Sequence, residues 1–120
     1  MGEKVVIYNV SKTTILAKEA VIAASLAQRM QGLLGRVAFL ANEGLILQPC
    51  SSIHTFFMRF PIDVLFLDKH KRVVKQIQNL PPFRVSPIVW TSCLAIELPA
   101  GTINQTNTQK NDIIEIRPQA

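Results

Sequence analysis

Three residues of this 120-residue sequence have side chains suited to acid–base or ligand chemistry: His54, Asp63 and Glu97. An imidazole beside a carboxylate at the wall of a pocket can act as an acid–base pair. His54 lies in residues 52–59, where strict alternation places it on one strand face with Phe56, Met58 and Phe60. The reading is either a general base or ligand in an apolar pocket, or a core histidine with satisfied hydrogen bonds. Asp63 sits between Ile62 and Val64 in a run that is apolar on both faces. A carboxylate buried there must be hydrogen-bonded, paired or protonated. The expectation is a structural anchor, with Arg36, Arg59, His54 and backbone amides as candidate partners. Glu97 alternates with Cys93 and Ala95 on one face. It is expected either on a solvated face or in a shared site with His54 or Asp63. The candidate polar cluster is therefore His54, Asp63, Glu97, Arg36 and Arg59.

No complete catalytic or metal-binding motif accompanies these residues. The sequence has no C-x-x-C, no H-E-x-x-H, no G-x-S-x-G elbow and no phosphate-binding glycine loop. Zinc sites want three or four well-spaced ligands, and the second histidine, His70, stands in a charged turn. No metal and no cofactor are assigned. Cys50 precedes His54 by four residues, about 13 Å along a strand at ~3.3 Å per residue, so contact between them requires a bend. A Ser51 or Ser52, His54 and Asp63 triad can be drawn, but serines are too common to give it weight.

The elements that would position these side chains are mostly short strands. Residues 4–10 are rich in β-branched and aromatic residues, and 13–23 follow as one or two further strands. Ser25 with Gln28 forms a capping-box pattern. Leu26, Met30, Leu33 and Leu34 recur at helical spacing and Gly35 is placed to end the element, predicting one short helix near residues 25–34. Strands are predicted at 44–48, 52–59 and 62–67. Residues 68–71 turn the chain and 72–80 return, completing a hairpin. Pro81 and Pro82 open a loop that runs through Pro87. Residues 90–98 and 112–117 read as the last strands, with a polar, irregular stretch at 102–111. No strand–helix alternation suggests a parallel α/β sheet. The fold class is mainly β, a jelly-roll-like sandwich or partly closed barrel, with residues 1–120 as a single domain.

Composition narrows the rest. At 48% hydrophobic residues the chain can bury a core without disulfides, and Cys50 and Cys93 are expected to be reduced thiols. No apolar run is long enough for a transmembrane helix, and the N-terminal residues lack a signal-peptide layout. A cytoplasmic location is expected. The net charge of +5 is compatible with anionic partners. The basic residues are scattered, with one dense run at Lys69, His70, Lys71 and Arg72.

Residues 28–36 (QRMQGLLGR), 52–63 (SIHTFFMRFPID) with 66–68 (FLD), and 94–101 (LAIELPAG) with Asn111-Asp112 together resemble the family known as domain of unknown function 192. The resemblance covers about residues 15–116. The family often has Met at the place of Leu34 and Gly-Asp at the place of Asn111-Asp112, and Lys71 replaces an expected hairpin glycine. The resemblance implies a mainly β, jelly-roll-like sandwich with a short helix, and no established activity.

Three functional readings follow. The first is a non-enzymatic binding or accessory module with a polar pocket near His54, Asp63 and Glu97, taking a small molecule or a protein. The second is a small hydrolase-like or lyase-like enzyme using His54 with a carboxylate. The third is weak binding of anionic polymers such as nucleic acid, for which Phe83-Arg84 and the hairpin at 69–75 are the best candidates.

Overall fold

The computed structural model describes residues 4–23, 38–56 and 58–119. In chain order the elements are β1 (Lys4–Asn9), β2 (Thr14–Ala23), β3 (Glu43–Leu47), β4 (Ile62–Leu67), β5 (Val73–Leu80), β6 (Leu94–Pro99), the one-turn helix α1 (Thr102–Gln105) and β7 (Ile114–Pro118). The helix predicted near residues 25–34, with Gly35 and Arg36 behind it, lies outside the described residues.

The seven strands among the described residues belong to one sheet, in the order β5-β4-β6-β3-β2-β1-β7. Neighbours run antiparallel except β2 and β3, which are parallel. Central strands are covered on both faces, and β4 is: all six of its residues are buried, Asp63 among them. The sheet curls into a half-barrel. Its two edge strands approach at one end, where Arg72 bridges Ile113. The amide of Val73 donates to the Asp112 carbonyl at 2.9 Å, and that of Asn111 to the Val73 carbonyl at 2.8 Å. Pairing two edges removes exposed ladder groups that would otherwise recruit other strands.

The curl gives each face its own core. The inner face gathers Ile7, Ala17, Ile46, Leu65, Ile96, Leu98, Ile103 and Ile114 among others. Gly44 lies against this face, where an added Cβ would come within 3.2–3.3 Å of Ala17, Ala20 and Ile7. The outer face carries Leu45, Leu47, Val64, Phe66 and Ala95, covered by Ile53, Met58 and Phe60 from the β3–β4 connection and Val89 from the β5–β6 connection.

Two predicted strands are corrected. The described residues 52–56 and 58–59 form no strand; among them His54 alone makes an isolated bridge, to Val85. A ladder cannot extend there because the partner segment contains Pro81, Pro82 and Pro87, which lack amide hydrogens. The strand predicted at 90–98 begins only at Leu94, leaving Trp90 in a loop. The stretch expected to be irregular at 102–111 contains α1. The predicted hairpin turn at 68–71 is present. Lys71 takes the left-handed conformation at φ 64 that a glycine would adopt there. The Asp68 carboxylate stabilises it by accepting from the amides of His70 and Arg72 at 2.8 and 3.0 Å.

Candidate functional site

Among the described residues, His54, Asp63 and Glu97 are not brought together. Asp63 stands near the start of β4, beside an irregularity in its pairing with β5. Its carboxylate accepts three backbone amides: Asn79 at 2.8 Å, Gly101 at 3.1 Å and Ile103 at 2.9 Å. Asn79 and Gly101 both have positive φ, 55 and 97. Amides turned out of a regular ladder need another acceptor, and Asp63 supplies it. The residue thus joins the end of β5 to the turn that starts α1.

Glu97 occupies the opposite face. It pairs with Val64 on β4 and Leu45 on β3, both members of the outer core. It is 5% exposed, which corrects the expectation of a solvated residue. Burial among apolar neighbours raises its pKa from 4.5 to about 7. Among the described residues it has no hydrogen-bonding or ion-pairing partner.

His54 is exposed. Its ring stacks on Phe56 with centroids 5.2 Å apart, and Nδ1 accepts the Phe56 amide at 3.3 Å. No carboxylate among the described residues is within ion-pair distance of it. It does not share a core face with Met58, as alternation suggested: Met58 is buried. Arg59 is exposed, and Arg36 lies outside the described residues. The Ser52 hydroxyl is engaged with Ser86, its oxygen 3.1 Å from the Ser86 carbonyl. Cys50 and Cys93 are not disulfide-linked; their backbones meet where the Cys50 amide donates to the Cys93 carbonyl at 3.2 Å. Pro49, Cys50, Ser51, Ser52 and Ser92 line an open depression of about 380 Å³. Ser92 spends its hydroxyl on the Cys50 and Leu94 carbonyls at 2.7 and 3.0 Å.

A second polar centre escaped the sequence reading. Buried Asp112 accepts from Asn9 at 3.0 Å, from the Gln109 amide at 2.8 Å and from Lys12 at 2.8 Å. Burial acts to raise its carboxyl pKa, but the bonds from Asn9, Lys12 and Gln109 outweigh burial and the net shift is downward. This network fastens the β1–β2 turn to the entry of β7. Only the Asn111-Asp112 pair within the family resemblance hinted at it.

The sequence reading also missed a surface. Phe83, Val85, Ile88 and Trp90 are 58, 61, 54 and 84% exposed. All four come from one loop, and that loop is firmly held. Thr55 is fully buried; its hydroxyl donates to the Pro81 carbonyl at 2.7 Å and accepts the Arg84 amide at 2.9 Å. The Ser86 amide donates to the Ile53 carbonyl, and the Val89 amide to that of Ser51, at 2.9 and 2.8 Å. Ser86 Oγ accepts the Ile53 amide at 2.9 Å. The bridge between His54 and Val85 sets His54 and Phe56 beside this loop. Four large apolar residues in a proline-punctuated stretch were the available signal.

The curled seven-stranded sheet with a one-turn helix after β6 defines a class of mainly β half-barrel proteins. Two crystal structures share it. A protein of unknown function from Novosphingobium aromaticivorans DSM 12444 superimposes with a TM-score of 0.79 at 19% identity, over 93% of this chain and 83% of its own. A protein from Sinorhizobium meliloti 1021, described as a candidate transcription regulator, gives 0.78 at 22% identity, over 97% and 94%. No curated protein is similar enough to this sequence to count as a match. Within that class the chain belongs to the DUF192 family (Uncharacterized ACR), whose model matches residues 7–116.

Proposed function

We propose that this protein is a non-enzymatic binding module whose binding surface is the face built by residues 51–56 and 83–90. The observation that carries the reading is the pinned loop that holds Phe83, Val85, Ile88 and Trp90 in solvent. Contiguous exposed apolar surface on a soluble domain marks an interaction site. Hydrogen bonds to Thr55, Ile53 and Ser51 fix the loop backbone, so little conformational entropy is left to lose on binding. The acid–base alternative needs His54 within about 3.2 Å of a carboxylate. Asp63 is committed to three amides and Glu97 faces the outer core, so neither supports that alternative. Two thiols without a disulfide suit a reducing cytoplasm, where we place the protein.

Thermal-shift screening of ligands against wild type and a Val85→Ser/Ile88→Ser variant tests the proposal. Ligands that stabilise wild type should lose their effect on the variant. Equal stabilisation of both proteins would move the binding site elsewhere.

A further inference from the structure

We propose that the loop at residues 83–90 docks on the surface of a bilayer that contains anionic phospholipid. This inference rests on the binding-surface reading above and names its partner.

The shape of the surface argues first. A small molecule or peptide is held in a depression whose lining is largely buried. Here the apolar side chains stand out from the protein, Trp90 most of all at 84% exposure. A fluid interface accepts such protrusions, and tryptophan is the side chain most at home at headgroup level. Phe83, Val85 and Ile88 supply aromatic and aliphatic bulk of the kind that inserts at the acyl boundary.

Charge argues second. Residues 49–61 and 81–93 contain Arg59, Arg84 and His54 and no Asp or Glu. Asp63, Glu97 and Asp112 are buried, which withdraws three of the eight acidic side chains from the surface of a chain of net charge +5. Segments that carry arginines and no acidic residue, bearing exposed apolar side chains, complement an anionic leaflet. The same charge opposes self-association, because a two-fold contact through this face would bring together two copies of segments that carry Arg59 and Arg84 and no acidic residue. The face also fits single-stranded nucleic acid less well. That partner wants stacking planes interleaved with several cations, whereas Val85 and Ile88 offer no π-face and the loop contains one arginine.

Trp90 is the sole tryptophan of the chain, so its fluorescence reads the loop directly. The full-length protein is titrated with vesicles of pure phosphatidylcholine and with vesicles containing about one-third phosphatidylglycerol. The expected result is a blue shift of Trp90 emission, with quenching by brominated acyl chains, on the anionic vesicles only. Raised salt should reverse it. In co-sedimentation, Trp90→Ala should weaken partitioning by about tenfold and Arg84→Gln by about fivefold. Absence of both blue shift and co-sedimentation on anionic vesicles overturns the inference. So does an equal response to soluble glycerol phosphate, which would indicate headgroup binding without insertion. If vesicles fail while Trp90 responds to a single-stranded oligonucleotide, a peptide or rising protein concentration, the lipid inference falls and the binding-surface reading stands. If Trp90 responds to none of these probes, both fall.

Discussion

Asp63 and Glu97 stand one register step apart on the paired strands β4 and β6, yet their side chains point to opposite faces of the sheet. Glu97 lies opposite Val64, and Asp63 lies opposite Leu98. Since side chains alternate along a strand with period two, this offset places the two carboxyl groups in different cores. One is fully hydrogen-bonded, and the other has only apolar cross-strand neighbours.

The Asp63 carboxylate is a structural anchor, and Asp63→Asn should show it. Two oxygens accept three amides, from Asn79, Gly101 and Ile103. An asparagine can turn its oxygen toward either Asn79 or the Gly101–Ile103 pair, leaving its NH2 opposed to the other donor. The expected loss is about 1–3 kcal/mol, typical of a buried polar group left unsatisfied. Denaturant melts of wild type and variant measure it. A difference below about 0.5 kcal/mol, within the range of ordinary surface substitutions, would refute the anchor role.

Glu97 should make stability depend on pH in the opposite sense to a salt-bridged carboxylate. Its folded pKa is about 7 against 4.5 for the ordinary group. Between those values the native state binds more protons than the unfolded state, so stability falls as pH rises through that window. The span corresponds to a loss of up to roughly 3 kcal/mol. Facing Glu97, the β3 and β4 neighbours are Leu45 and Val64, which carry no charge to offset it. Glu97→Gln should flatten this slope. Unfolding free energies measured from about pH 5 to pH 8 test it, and parallel slopes for the two proteins would contradict the assignment.

Lys71 is a residue in a glycine conformation. A left-handed backbone costs a non-glycine residue roughly 1–2 kcal/mol, partly offset in Lys71→Gly by the greater freedom of glycine in the unfolded chain. Lys71→Gly should therefore stabilise the protein by about 0.5–1 kcal/mol. A lower melting temperature would show instead that the lysine side chain contributes more than its backbone costs.

The sequence alone was enough for several of these features. The two-faced apolar run at Ile62–Leu67 required a central strand, and Asp63 within it required burial with partners. Charged residues at 68–71 between two apolar runs required a hairpin. These conclusions rest on local pattern: which residues tolerate water, and which turn the chain. The partners themselves were a tertiary matter. Alternation at 52–59 looked like a strand, but the segment it meets carries prolines that stop a ladder after the single bridge between His54 and Val85. The parallel pairing of β2 with β3 and the meeting of Arg72 with Ile113 are contacts between distant residues, and no local pattern encodes them. The same holds for the faces of Asp63 and Glu97. Alternation fixes which residues of one strand share a face, but register between strands decides which face that is. Only the fold sets that register, and only the fold left Trp90 outside both cores.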